Sequence, residues 1–202
     1  MALSQNVEPN GDELRDYMAH MRVRTKVIGT TVILAVLIAL GVIGYMLYWP
    51  QDPAASQHGL VQQQIGRTTV IVDYNRPVAR GREPFGDLVA WGQLWTPSAE
   101  RPATIRFSTD VDVNGQAIAK GNYALWAQPQ MDAWTVIFSR DAAKDRLAYT
   151  EGQDALRLTA TPRSGPHMET LAFYFPVVDG KAAELVLHWG RVVVPLQITV
   201  AR

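Results

Sequence analysis

The chain has 202 residues, 48% of them hydrophobic, with 19 Lys and Arg against 19 Asp and Glu and no cysteine. Four residues of each sign precede residue 50, so the charge is balanced beyond it as well, and neither part offers a basic surface to a nucleic acid. The missing cysteines exclude disulfides, thiol catalysis, cysteine metal centres and haem attached through C-x-x-C-H.

Residues 1–26 read as a cytoplasmic tail: a polar start to Gly11, then Leu14, Tyr17, Met18 and Met21 at helical spacing. That segment either lies on the membrane surface as a short amphipathic helix or is the frayed start of the next element. Residues 27–49, VIGTTVILAVLIALGVIGYMLYW, contain no charge, Asn, Gln or His. At 1.5 Å per residue they predict a helix of about 34 Å, enough to cross a hydrocarbon core of about 30 Å. Arg15, Arg22, Arg24 and Lys26 precede this span, whereas Tyr45, Tyr48 and Trp49 end it. The positive-inside rule then predicts an N-terminus in the cytoplasm and residues 51–202 in the periplasm of a bacterial inner membrane. A cleaved signal peptide is the competing reading, but its apolar core should run about 7–15 residues and end in a small-x-small site. This one is longer and ends in Tyr48-Trp49-Pro50, with Ala54-Ala55-Ser56 as a late possible site. Thr31, Ala35 and Ala39 fall on one helix face, with Gly41 and Gly44 further along. Such small residues let helices approach closely in lipid, so this face is the expected contact with other membrane subunits.

Residues 50–59 read as a linker and 60–202 as one periplasmic domain. From Leu60 the period becomes two: Val70, Val72 and Tyr74; Ile105 and Phe107; Tyr123, Leu125 and Ala127; Trp134, Val136 and Phe138; Leu156, Leu158 and Ala160; Leu171, Phe173 and Phe175; Leu185, Leu187 and Trp189; Val192 to Val200. Asn114-Gly115 and Asp179-Gly180 are hairpin signals, Gly190 is placed to turn the chain between the last two strands, and Pro195 suits a strand edge. Only residues 141–149 look helical. The fold class is therefore all-β: an antiparallel β-sandwich or jelly-roll-like domain of about nine strands behind one N-terminal transmembrane helix.

Chemical handles are few. Asp110, Asp112, Asn114 and Gly115 open like a calcium loop, but position twelve is Gly121 where a bidentate Glu is needed, and a plain hairpin explains them. His20, His58, His167 and His188 lack paired metal spacing, and His188 reads as a surface residue. No G-x-S-x-G, P-loop or G-x-G-x-x-G occurs, and no catalytic residue, metal or cofactor is expected. The conspicuous polar cluster is Arg76, Arg80, Arg82, Glu83 and Asp87. Arg76 and Arg82 with Trp91 and Trp95 are the candidate ligand or partner surface, since guanidinium forks match carboxylates.

Asn75-Arg76-Pro77, Gly81-Arg82, Phe85-Gly86, Leu88-Val89, Gly92 and Trp95 resemble the domain of unknown function twenty-nine eleven family. The likeness continues through Phe107-Ser108, Val113-Asn114-Gly115, Gly121-Asn122-Tyr123, Pro129, Trp134 to Phe138, Trp189 and Pro195, over about residues 58–200. It implies a compact exported β-domain and brings no substrate or cofactor with it. Family members usually follow the Trp with Arg-Thr-Gly-Ala-Asn-Glu, whereas Trp95 is followed here by Thr96-Pro97-Ser98-Ala99-Glu100-Arg101. The departure argues against retained catalysis. The expected function is a non-catalytic, single-span accessory subunit that contacts other membrane subunits, the alternative being an anchored binding module or enzyme for an anionic or sugar ligand. One span joined to such a domain also resembles, in architecture, an extra subunit of a bacterial photosynthetic reaction-centre and light-harvesting complex.

Overall fold

The computed structural model describes residues 15, 18, 35–41, 43, 56–142 and 148–200, and the chain divides into two units, Met1–Pro53 and Ala54–Arg202. In the first unit Ala35 to Gly41 and Ile43 are helical with every side chain exposed; Leu37 is 60% and Ile38 59% exposed. The rest of the span 27–49, with Thr31 and Gly44 of the proposed packing face, lies outside the described residues. Among the described residues no helix is long and apolar enough to cross a membrane.

The second unit carries ten strands: β1 (Gln57–Ile65), β2 (Thr68–Arg76), β3 (Ala103–Phe107), β4 (Val111–Val113), β5 (Gln116–Ile118), β6 (Gly121–Gln128), β7 (Trp134–Ser139), β8 (Asp154–Ala160), β9 (Arg163–Asp179) and β10 (Ala182–Val200). They form a six-stranded sheet, β1-β2-β3-β6-β7-β8, and a second sheet ordered β5-β4-β10-β9, with every pairing antiparallel. The inward residues of both sheets meet in one core that includes Phe107, Leu125, Trp134, Phe138 and Leu158 from the first sheet and Phe173, Leu187 and Leu196 from the second. Tyr74 ties the layers together: its ring meets Phe173 edge-on at 4.9 Å and its hydroxyl accepts the Phe173 N–H at 3.0 Å.

β10 is one run of extended residues that doubles back. Nineteen residues at about 3.3 Å each would put its ends some 60 Å apart, yet the Val200 N–H donates to Lys181 O at 2.8 Å and Gln197 Nε2 to Glu184 Oε2 at 3.0 Å. The reversal falls at Gly190, whose φ is 60°, where the sequence predicts a turn. Pro195 lies after the pairing with β9, which ends at Val193, and before the pairing with β4, which starts at Ile198. A missing donor is harmless there.

Other expectations shift. β1 starts at Gln57, inside the stretch read as linker, because a polar strand carries little apolar alternation. The β9–β10 loop is Gly180-Lys181, with Asp179 still paired to Ala182; glycine first, with φ 51°, is all that such a turn needs. The strand expected at Leu171 begins at Arg163. β6 and β7 are buried on both faces, since Leu94 and Tyr149 cover Ala124, Trp126 and Ile137 on the outer side. Of the short helix expected at 141–149, residues 143–147 lie outside the described residues and the flanking ones are not helical. His188 is 3% exposed, not a surface residue, because Gly165 and Pro166 arch over it: Pro166 O accepts from its Nε2 at 2.9 Å, and its Nδ1 lies 3.0 Å from the Tyr174 hydroxyl.

Candidate functional site

The segment 77–102, between β2 and β3, closes one end of the sandwich. Backbone bonds fasten it to β9 (Ala79 N to Glu169 O, 2.8 Å; Leu171 N to Pro77 O, 3.0 Å) and to β6 (Trp95 N to Ala127 O, 2.8 Å, with the reciprocal bond at 2.7 Å). Held from both sides, the segment drops Phe85 between the sheets. Four tryptophans surround that ring, with centroids 4.8 Å away for Trp134, 5.8 Å for Trp95, 5.9 Å for Trp189 and 6.1 Å for Trp91. Most of these contacts are edge-to-face, the arrangement aromatic quadrupoles favour, while Trp95 and Trp189 stack at 19°. The Trp189 indole donates to Glu169 O at 3.1 Å, whereas the buried Trp134 Nε1 has no acceptor among the described residues. Gly86, with φ 112°, leaves room for the Trp91 indole, which would lie 3.3 Å from a Cβ there.

Trp91 is 41% exposed and borders a cleft of about 240 Å³ with Gln130, Met131, Arg163 and Arg191; no carboxylate lines it. Arg163 pairs with Glu184 at 2.5 Å, and the exposed Arg191 has no partner among the described residues. The candidate surface is thus brought together only in part. Trp91 and Trp95 share Phe85, with Trp95 half-buried. Arg76 turns to Leu171 O and Arg82 to Ala79 O, backbone carbonyls away from the cleft. Within the rest of that polar cluster, Asp87 accepts the Glu83 N–H, so the segment is stapled through backbone groups. The arginines beside Trp91 are Arg163 and Arg191, which the sequence reading passed over. Arg191 follows the Gly190 turn, and an arginine at a hairpin tip was the available signal.

The divergent string after Trp95 is built into the six-stranded sheet, Thr96 at β3 and β6 and the later residues at the end of β2. Thr96 Oγ1 accepts the Ala103 N–H and donates to Leu125 O, both at 2.9 Å, and Ser98 Oγ accepts the Asn75 N–H at 2.8 Å. Arg101 reaches Asp73 at 2.5 Å and Asn75 Oδ1 at 3.1 Å, while His58 Nε2 lies 2.8 Å from the same Asp73 oxygen. Glu100 holds Ser56 and Asn75, although its φ of 66° strains any residue with a Cβ. Burial alone would raise the Asp73 carboxyl, but the hydrogen bonds and charges of Arg101 and His58 outweigh it and hold the group below its ordinary value. The residues read against a calcium loop form the β4–β5 hairpin, Asn114 and Gly115 taking φ of 48° and 75° and the Asn114 side chain accepting the Gln197 N–H at 2.8 Å. Among the described residues no group of three or more His, Cys, Asp or Glu is placed to hold a metal ion.

Residues 56–198 match the family described as "Protein of unknown function (DUF2911)", and the chain belongs to it. No curated protein and no solved structure matches the chain.

Proposed function

We propose that this chain, as a member of that family, serves as a non-catalytic, single-span accessory subunit of a larger assembly in a bacterial inner membrane, its N-terminus cytoplasmic and its β-domain making protein contacts in the periplasm. The carrying observation is the described helix: Val36, Leu37, Ile38, Leu40 and Ile43 are each more than half exposed. So contiguous an apolar surface calls for lipid or partner helices around it. The altered string after Trp95 adds support, because Thr96 is engaged with β3 and β6 while Ser98, Glu100 and Arg101 hold the end of β2. Residues tied into the scaffold are poorly free to act on a substrate. The finer reading, an extra subunit of a photosynthetic reaction-centre and light-harvesting complex, rests on likeness of architecture.

Helices associate in lipid through close packing, for which Thr31, Ala35 and Ala39 leave room. Changing Ala35 and Ala39 to Leu keeps the segment apolar enough to insert, yet is expected to release the subunit from its partners when the membrane is gently solubilised and a tag after Arg202 is pulled. Arg76→Ala with Arg82→Ala is expected to alter stability and leave assembly intact. The exposed Trp91 beside Arg163 and Arg191 favours the second reading, an anchored module for an anionic or sugar ligand. If the Leu variant stays fully assembled while Trp91→Ala abolishes uptake of a small ligand, that second reading replaces the first.

A further inference from the structure

The opposite end of the sandwich, where β1 turns into β2 and β9 into β10, carries a larger cleft of about 660 Å³. Three cations from three separate connections line it: Arg67 in the β1–β2 turn, Lys181 in the β9–β10 turn and Lys120 just before β6. The turns are adjacent, since a Cβ on Gly66 would lie 3.6 Å from Gly180 O and 3.5 Å from the Val200 side chain. None of the three charged groups has a partner among the described residues. Asp110 is the one carboxylate in the lining, and its Oδ1 already accepts the Lys120 backbone N–H at 2.7 Å. Ser108 Oγ accepts the Thr69 N–H at 2.8 Å and keeps its own proton for a further acceptor. The cleft thus holds three cations against one occupied carboxylate, in a chain whose formal charge is zero.

We propose that this cleft binds a dianionic phosphate group. The excess of cations matches a phosphate monoester or inorganic phosphate, which carries about −1.5 to −2 at neutral pH with three strong acceptor oxygens. A carboxylate, with one charge and two oxygens, would leave donors and charge unmatched. The Arg67 fork fits two phosphate oxygens at once, and the lysines act as point charges on the rest. Free phosphate and the phosphomonoester headgroup of phosphatidic acid share this chemistry. The site stands apart from the accessory-subunit reading and survives its failure.

The test uses the full chain in neutral detergent at fixed ionic strength. Radiolabelled inorganic phosphate and dihexanoyl phosphatidic acid are each measured by equilibrium dialysis. Saturable uptake of at least one probe is expected, weakened in Lys181→Gln and weakened roughly tenfold or more in Lys120→Gln with Lys181→Gln, because two of the three charge-assisted contacts are gone. All three residues are exposed, so the variants should melt like the parent without ligand. Arg106→Gln makes the same charge change on the outer sheet face and should bind normally. Uptake of phosphate alone identifies a small-molecule site, and uptake of the lipid alone a headgroup site. Absence of saturable uptake of both probes, undiminished uptake by the double variant, or an equal loss in Arg106→Gln overturns the proposal.

Discussion

Asp73 joins His58 at the start of β1 to Arg101 just before β3, so one carboxylate fastens the first strand to the closing segment. Its carboxyl lies below the ordinary 3.8 in the folded chain, so folding favours the ionised form. That stabilisation is fully present above about pH 4 and is lost as the pH falls through the lower, folded value. Asp73→Asn is therefore expected to melt lower than the parent at neutral pH and to show a flatter decline in acid. Parallel acid limbs in melting curves of the two proteins would remove Asp73 from the account. The sequence revealed half of this arrangement. Arg101 stood out as a charge of the wrong sign for the family, but its partner lies 28 residues away, and no local pattern encodes that distance. His188 was misplaced for a related reason: alternation assigned it to the polar face, and the cover that buries it comes from β9.

At the scale of elements, period-two alternation located the strands with one apolar face, and the turn residues located most of their ends. It failed for β1, where QHGLVQQQI has too few apolar residues to alternate, and although it located β6 and β7 it did not show their second buried face, which is made by Leu94 and Tyr149 from distant segments. The Gly190 reversal was legible because only glycine takes positive φ freely. Its tightness was not: a Cβ there would come 2.9 Å from the Pro84 ring. Gly115→Ala, in open space, should cost only the left-handed conformation, about 1–2 kcal/mol. Gly190→Ala adds a clash with a stiff ring, and overpacking costs about 1–3 kcal/mol more. Denaturant unfolding of both variants should rank Gly190→Ala clearly lower; equal losses would mean that the segment carrying Pro84 yields freely.

Across the whole domain, the residues expected to face inward from their strand phase do share one core. Phe138→Ala and Leu158→Ala should each cost about 2–5 kcal/mol, a large part of the roughly 5–15 kcal/mol that holds a typical domain together. Unmoved melting curves would contradict the packing. The aromatic end was partly visible, as Trp91 and Trp95 near Phe85, but Trp134 and Trp189 join it only because segment 77–102 folds over the sheets, and the arginines of its cleft arrive from β9 and β10.

The pairing of β4 with the second half of β10 also fixes when the domain can form. Val111 pairs with Val200, so the second sheet lacks an inner strand until a segment far downstream of β4 is free to dock. Local hairpins such as β1–β2 and β4–β5 can close early, yet the apolar face of the six-stranded sheet stays uncovered meanwhile. Topologies dominated by such distant pairings fold slowly, in roughly milliseconds to seconds, and their exposed faces invite aggregation. A chain cut after Val193 would thus be left with an unpaired β4–β5 hairpin and half a core. Its fate should be an insoluble product and not a smaller domain, which ties successful biogenesis to protection of the chain until the second half of β10 has been made.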